Sequence, residues 1–430
     1  MKGPSSNHKS KMPQLLSINN YYYRRGGSEA VYFEHNRLFG EAGWEVVPFS
    51  THHRENLPSP WADHFVDDTE NAARSAFGKL RRAADAIYSV EAARRIRGLL
   101  RISRPDVAHA HNIYHHLSPS VLVELKRAGI PVVLTVHDLK LACPAYKMYV
   151  RGQVCERCAG GALRNVVKNR CIKDSALMSA LVWVESTAHR LLGLYGATVT
   201  QFVVPSRFFM TKLAAWGIDT SRFIHVPNSV DVETHIPRGE PGDAFVYLGR
   251  LAAEKGVETL VRAAAQARVR LRIVGTGPEE THLRQVAASL GGDVEFAGYL
   301  SGDALHAAIA SARAVVVPSE WYENAPLSVL ETSALARPVI GADIGGIPEL
   351  IRAGETGFVF PSGDVEALAG LLARVRGMPA ARLAEMGRAG REWMRSEFSP
   401  AVYRERMLAI YRRLGIAWSV GMANVGEVLI

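Results

Sequence analysis

The chain lacks three things. No apolar run approaches the eighteen or so residues that span a bilayer, and the first twelve residues have no apolar centre of the kind a secretory signal carries. A soluble cytoplasmic protein is expected. Cysteine is scarce, at four residues in 430, and all four fall between positions 143 and 171. The third lack is a single glycine. Leu271 to Val274 read as a strand running into G-T-G-P at 275–278, half of a dinucleotide fingerprint, but the third glycine's position holds Glu280. The pyrophosphate turn is incomplete, which argues against an NAD enzyme.

A composition of 48% hydrophobic and 22% charged residues is globular, and 430 residues exceed one ordinary core, so two domains are expected. Charge is uneven. Residues 1–236 hold 30 Lys and Arg against 20 Asp and Glu, and residues 237–430 hold 21 against 22, giving +10 and −1. Much of the surplus sits in Arg74, Lys79, Arg81, Arg82, Arg94, Arg95, Arg97, Arg101 and Arg104, on a helical-looking segment interleaved with apolar residues. Such a segment suits an anionic membrane surface, and equally an ordinary solvated helix face.

Short apolar strands alternate with helices along the chain: Gln14–Ile18, Trp44–Phe49, Val107–Ala110, Val132–Val136, Val199–Val204 and Phe223–Val226, then a second series from Phe245–Leu248 to Phe358–Phe360. This alternation predicts doubly wound parallel sheets, α/β in class. Pro237, Gly239, Pro241 and Gly242 mark a linker between the two series. His111 and His137 fall at strand carboxyl ends, where such sheets place ligands.

The segment from about 139 to 174 is extra to this scheme and carries Cys143, Cys155, Cys158 and Cys171. Cys155 and Cys158 form a C-x-x-C pair, with the other two twelve residues upstream and thirteen downstream. Structural zinc, reduced or redox-active thiols, and disulfides all remain open, the last at odds with a reducing compartment.

The most informative stretch is A-V-V-V-P-S-E-W-Y-E-N-A-P-L-S-V-L-E, Ala314 to Glu331. A β-branched strand ends at Pro318, and a helix begins near Pro326, placed in its first turn. A helix start beyond a strand's carboxyl end offers free N–H groups to an anion, with Ser328 beside it and Glu331 three residues on. Carboxylates accept from hydroxyls well, so Glu323 and Glu331 flanking an anion pocket point to sugar hydroxyls at both ends of a diphosphate.

Glu323 and Glu331, the G-G-I-P-E of Gly345 to Glu349, the Y-L-G-R-L-A-A-E-K-G of Tyr247 to Gly256 and the R-R-G-G-S-E of Arg24 to Glu29 together resemble retaining glycosyltransferase family 4. The likeness covers about Pro13 to Leu414. It implies the GT-B fold, two Rossmann-like doubly wound domains facing each other across a cleft. The N-terminal acceptor-side domain would cover 1–236, with the cysteine-containing insertion at about 139–174. The nucleotide-sugar domain would cover 237–398, and residues 399–430 a helix crossing back and a tail.

By the same resemblance Arg250 and Lys255 hold the donor diphosphate, Glu331 the ribose hydroxyls, and Glu323 with the Gly345–Gly346 loop the donor sugar. The backbone near Tyr299 meets the base, Gly26 and Gly27 face the diphosphate or acceptor, and His137 faces the sugar. Catalysis would need no cofactor and no bridging metal. The partners would be a nucleotide sugar and a glycan or lipid-linked acceptor, at the inner membrane face, and not nucleic acid. A nucleotide-sugar epimerase and a catalytically silent scaffold of a polysaccharide assembly are the alternatives.

Overall fold

The computed structural model describes residues 12–67 and 84–416. Of the basic segment, Arg74, Lys79, Arg81 and Arg82 lie outside the described residues.

The first sheet has six strands: β1 (Gln14–Ile18), β2 (Glu45–Phe49), β3 (Val107–Ala110), β4 (Val132–Thr135), β7 (Gln201–Val204) and β8 (Phe223–His225), in the order β2-β1-β3-β4-β7-β8. β1 pairs parallel with β2 and β3, and β3 with β4. The intervening β5 (Tyr149–Val150) and β6 (Gln153–Val154) form a small antiparallel hairpin in the cysteine segment. No local signal marks it, because two-residue strands have no periodicity to read.

The second sheet contains β9 (Phe245–Leu248), β10 (Leu271–Val274), β11 (Val294–Gly298), β12 (Ala314–Val317), β13 (Val339–Ala342) and β14 (Gly357–Phe360), in the order β11-β10-β9-β12-β13-β14. All five pairings are parallel. Val315 and Val316 are fully buried, as a strand covered by helices on both faces requires. Each such side chain contributes about 1.5–3 kcal/mol of burial. Strand order reverses between β9 and β12, so their carboxyl ends flank the crevice where doubly wound sheets bind ligands.

The chain divides into two compact units. One comprises residues 1–135, 187–202 and 404–430, the other 136–186 and 203–403. Tyr411, on the part of the helix Pro400–Arg413 that belongs to the first unit, has its hydroxyl 2.7 Å from His109 Nδ1 and 3.1 Å from His35 Nε2. All three are buried, and burial holds His35 well below its ordinary pKa and so neutral.

The helix Val90–Ile102 is capped by Ser89, whose hydroxyl accepts from the Ala92 amide. It turns Ala92, Ile96 and Leu99 inward. Arg95 and Arg97 are spent on neighbouring acids, Arg95 on Asp67 at 3.3 Å and Arg97 on Glu124 at 3.1 Å. Arg94, Arg101 and Arg104 stay exposed.

Candidate active site

Two βα loops at the switch point of the second sheet build the site. The loop after β9 holds Arg250 and Lys255; the loop after β12 holds Ser319 and Glu323. Gly256 joins them. It sits at φ 64°, and a Cβ there would stand 2.0 Å from the Pro318 carbonyl oxygen, so only glycine lets the first loop lie against the end of β12.

Lys255 Nζ approaches Glu323 Oε1 at 2.6 Å, and the Ser319 hydroxyl donates to the same oxygen at 2.8 Å. Burial pushes the Glu323 carboxyl up, but the Lys255 ammonium, joined by hydrogen bonds that include the Ser319 hydroxyl, more than reverses this and holds it below the ordinary range. The result is a buried, charged carboxylate. Arg250 and Lys147 both converge on Glu254, at 2.5 and 2.9 Å. Burial raises the pKa of Glu254 and its hydrogen bond from Lys147 lowers it, the net direction being down.

The backbone of Glu323 is seated from two sides. Asn324 Nδ2 donates to the carbonyls of Val136 at 2.8 Å and His137 at 3.3 Å, and Ser206 donates to its Oδ1 at 2.8 Å. The Gly346 amide donates to the Glu323 carbonyl at 2.8 Å. A Cβ on Gly345, at φ 62°, would stand 2.4 Å from that carbonyl oxygen, and one on Gly346 would stand 1.9 Å from the Asn324 oxygen. The glycine pair therefore packs directly beneath the glutamate. Glu349 of the same motif accepts from the amides of Arg207 and Phe208 at 2.8 and 2.6 Å, capping the helix Arg207–Ala215. His137 is pushed down to about 4 by burial and is neutral near pH 7.

The helix Leu327–Ala334 begins one position later than the sequence reading had it. Pro326 is its N-cap, with ψ at 124°, rather than a residue of its first turn, and no side chain caps the helix. The Val329 amide turns back on the Pro326 carbonyl at 3.1 Å, which leaves the Leu327 and Ser328 amides of the helix for another acceptor. Ser328 and Glu331 are half-buried on it, three residues apart. Burial raises Glu331 to about 7.

This shift carries a pH dependence. A carboxyl raised from its ordinary 4.5 to about 7 favours the protonated fold, so stability declines as pH rises from about 4.5 to 7 and is level above. If Glu331 holds the ribose hydroxyls, as the resemblance implies, it does so as the carboxylate, and nucleoside diphosphate affinity is then expected to rise about tenfold between pH 6 and 8. Calorimetric titration of wild type and Glu331→Gln checks this. An equally steep slope in the variant would rule Glu331 out as its origin.

The remaining site residues lie elsewhere. Tyr299 follows β11 and is 74% exposed. Gly26 and Gly27 belong to the first unit, where Gly26 is the extended N-cap of the helix Gly27–Glu41, again without a capping side chain. A Cβ on Gly26 would meet nothing closer than Glu29 Oε2 at 3.6 Å, so internal packing does not demand this glycine.

Gly275 and Gly277 are explained by packing. A Cβ on either would stand 1.9 Å from the Gly249 oxygen or 2.2 Å from the Leu251 oxygen, so the half fingerprint serves the close approach of two loops. The four cysteines are free and line one pocket. Among the described residues no three His, Cys, Asp or Glu side chains stand grouped to hold a metal ion.

Sequence reasoning missed Ser319, Asn324, Glu254, Lys147 and Ser206. Ser319, Asn324 and Glu254 lie within the quoted motifs and were within reach. Lys147 and Ser206 are brought in from segments distant in sequence, and no local signal marks them.

Two doubly wound parallel sheets, the second with a charged site at its switch point, define the GT-B class of two Rossmann-like domains. The chain belongs to glycosyltransferase family 4. Family models described as "Glycosyltransferase Family 4" and "Glycosyl transferases group 1" match residues 25–234 and 242–376. The chain is 35% identical over 77% of its length to the sulfoquinovosyl transferase SQD2 of Arabidopsis thaliana, covering 60% of that protein. It is 32% identical over 49% of its length to a GDP-mannose-dependent alpha-(1-6)-phosphatidylinositol monomannoside mannosyltransferase of Mycolicibacterium smegmatis, again covering 60%. The chain thus spans about 60% of the length of these two curated relatives. Among solved structures, HepE of Anabaena in complex with UDP superposes with a TM-score of 0.66 at 15% identity, over 94% of this chain and all of the other.

Proposed function

We propose that the protein is a retaining glycosyltransferase that moves a sugar from a nucleoside diphosphate to a lipid-linked or cell-surface glycan acceptor. The Lys255–Glu323 pair at the strand switch point carries the reading, since it sets a cation and a buried carboxylate beside an uncapped helix start. Lys255, Arg250 and the helix amides stabilise the departing diphosphate. That positive charge makes a bridging divalent ion unnecessary. Glu331 takes the ribose hydroxyls, and Glu323 and neutral His137 orient the sugar. Gly26 and Gly27, in the first unit, meet the diphosphate or the acceptor, and the backbone near Tyr299 the base.

None of these residues serves as a double-displacement nucleophile in this reading, so the acceptor attacks from the leaving-group face. The acceptor oxygen bonds to the anomeric carbon as the bond to the phosphate oxygen breaks, and the acceptor proton passes to that phosphate oxygen.

Two observations support a membrane-borne acceptor. The surplus charge lies in the N-terminal half, and the mannosyltransferase relative is named for a phosphatidylinositol acceptor. Among the described residues no helix is long and apolar enough to cross a membrane. The reading is therefore of peripheral attachment at the cytoplasmic face of the plasma membrane.

A thermal-shift panel of UDP-, GDP- and ADP-sugars tests the donor site. One nucleotide should raise the melting temperature and be hydrolysed slowly without acceptor. No shift with any donor would favour a silent scaffold, and conversion of the free donor sugar to its epimer would favour an epimerase. Vesicles of phosphatidylglycerol should bind the protein at low salt and release it as the Debye length shortens. Indifference to such vesicles would remove the membrane part of the reading alone.

A further inference from the structure

Residues 139–174 hold little regular structure. Among them are the hairpin of two-residue strands, a turn at Ala159–Gly161 and a single helical turn at Asn165–Lys168. Six of the ten non-glycine residues with positive φ among those described fall here: Tyr146, Met148, Arg151, Arg170, Lys173 and Asp174. Left-handed backbone at residues with a Cβ is unfavourable and persists only where the surroundings over-determine it. Met148, Leu163 and Val166 are buried here, and a metal that ties the chain at several points supplies further constraint of this kind.

All four cysteines of the chain line one pocket here, together with Met148 and Val166. Cys155 directly follows the hairpin's second strand and Cys158 begins the next turn, so the C-x-x-C pair sits on a knuckle. The amides of Met148 and Ala145 hydrogen-bond the Cys143 sulfur, and the Val166 amide the Cys158 sulfur. Amide donors of this kind surround metal-bound thiolates and orient them.

We propose that Cys143, Cys155, Cys158 and Cys171 bind one zinc ion as a structural four-thiolate centre that staples residues 143–171 against the loops of the donor site. Among the described residues the four sulfurs are not grouped as a ligand set, so binding the ion requires them to converge within the pocket they line.

The staple reaches the site through two side chains. Glu156 lies between Cys155 and Cys158 and accepts from Lys212 at 2.7 Å and from the Tyr322 hydroxyl at 2.5 Å; Tyr322 precedes Glu323. Lys147 lies between Cys143 and the hairpin and holds Glu254 at 2.9 Å. The metal claim stands independently of the transferase reading.

Full-length protein prepared without chelator or histidine tag should contain about one zinc per chain by elemental analysis. Cobalt exchanged into it should show thiolate charge-transfer absorption and the intense visible bands of a tetrahedral site. That signature needs no variant and is blind to catalysis. Cys155→Ser and Cys171→Ser should each lower zinc to well under half per chain. A strong chelator should lower the melting temperature and open four thiols to a thiol reagent, and zinc but not magnesium should restore both. A metal-free protein whose melting temperature ignores chelator and zinc overturns the proposal. So does mass spectrometry that finds the cysteines paired as disulfides.

Discussion

Lys255→Ala is expected to lower kcat/KM by two to three orders of magnitude, the usual cost of losing one donor aimed at developing charge. The same change strands Glu323, which is 8% exposed and has Lys255 as its ion-pair partner at 2.6 Å. Removing one member of a buried pair costs about 3–5 kcal/mol, and the 23% exposure of the lysine side chain brings the expectation here to roughly 1–3 kcal/mol. The pairing also fixes the pH profile. Because the fold lowers the Glu323 pKa, its stability is present above the ordinary carboxylate value and lost as pH falls through the folded one. Lys255→Ala should erase that acid-side loss. Glu323→Gln added to Lys255→Ala should restore most of the stability and none of the turnover, as chemical denaturation and initial rates would show. A single variant with near-normal rates would remove Lys255 from the donor site.

The second large effect comes from a residue whose side chain is one hydrogen atom. Gly346→Ala places a Cβ 1.9 Å from the Asn324 oxygen and 2.8 Å from Ser206 Cβ, and the first of these is backbone that cannot swing away. Overpacking of this kind costs about 1–3 kcal/mol. The loop that yields carries Glu323, and a displacement of about 1 Å at a positioned group costs on the order of 100-fold in rate. Gly370→Ala is the matched control. It lies in the helix Val365–Arg376 with nothing within 4 Å of its added Cβ, and should stabilise by about 1 kcal/mol while leaving kcat unchanged. Equal rates in Gly346→Ala and wild type would mean that the glycine pair does not seat the glutamate.

Packing at Gly346 also bears on what the motif G-G-I-P-E does. The resemblance implies that Gly345 and Gly346 orient the donor sugar, whereas their observed contacts are with the backbone of Glu323 and Asn324. Glu349 likewise caps a helix. A motif read as ligand contact thus includes residues that hold the contacting residue in place. Both variants above separate these roles, because loss of a direct contact weakens donor binding while loss of a seat moves turnover and stability together.

Sequence alone determined the α/β class and the two series of strands, and with them that Arg250 and Lys255 follow β9, Glu323 follows β12 and Glu331 stands on the next helix. β-Branched runs, prolines and glycines act locally, and a parallel strand buried on both faces needs no partner to be recognised. Val107–Ala110, Phe245–Leu248 and Leu271–Val274 were bounded to the residue for this reason.

The tertiary structure decided the pairings. Nothing local says that Lys255 spends its charge on Glu323, 68 residues away, or Lys147 on Glu254, 107 residues away. Nor does spacing tell that the incomplete G-T-G-P turn keeps its glycines because the Gly249 and Leu251 carbonyls press on them. The half-buried setting that raises Glu331 is likewise a property of the folded surroundings. Hydrophobic pattern is written residue by residue along the chain. Charge pairing, close backbone approach and desolvation depend on what the fold brings alongside, and that exists only once the sheet has set its strand order.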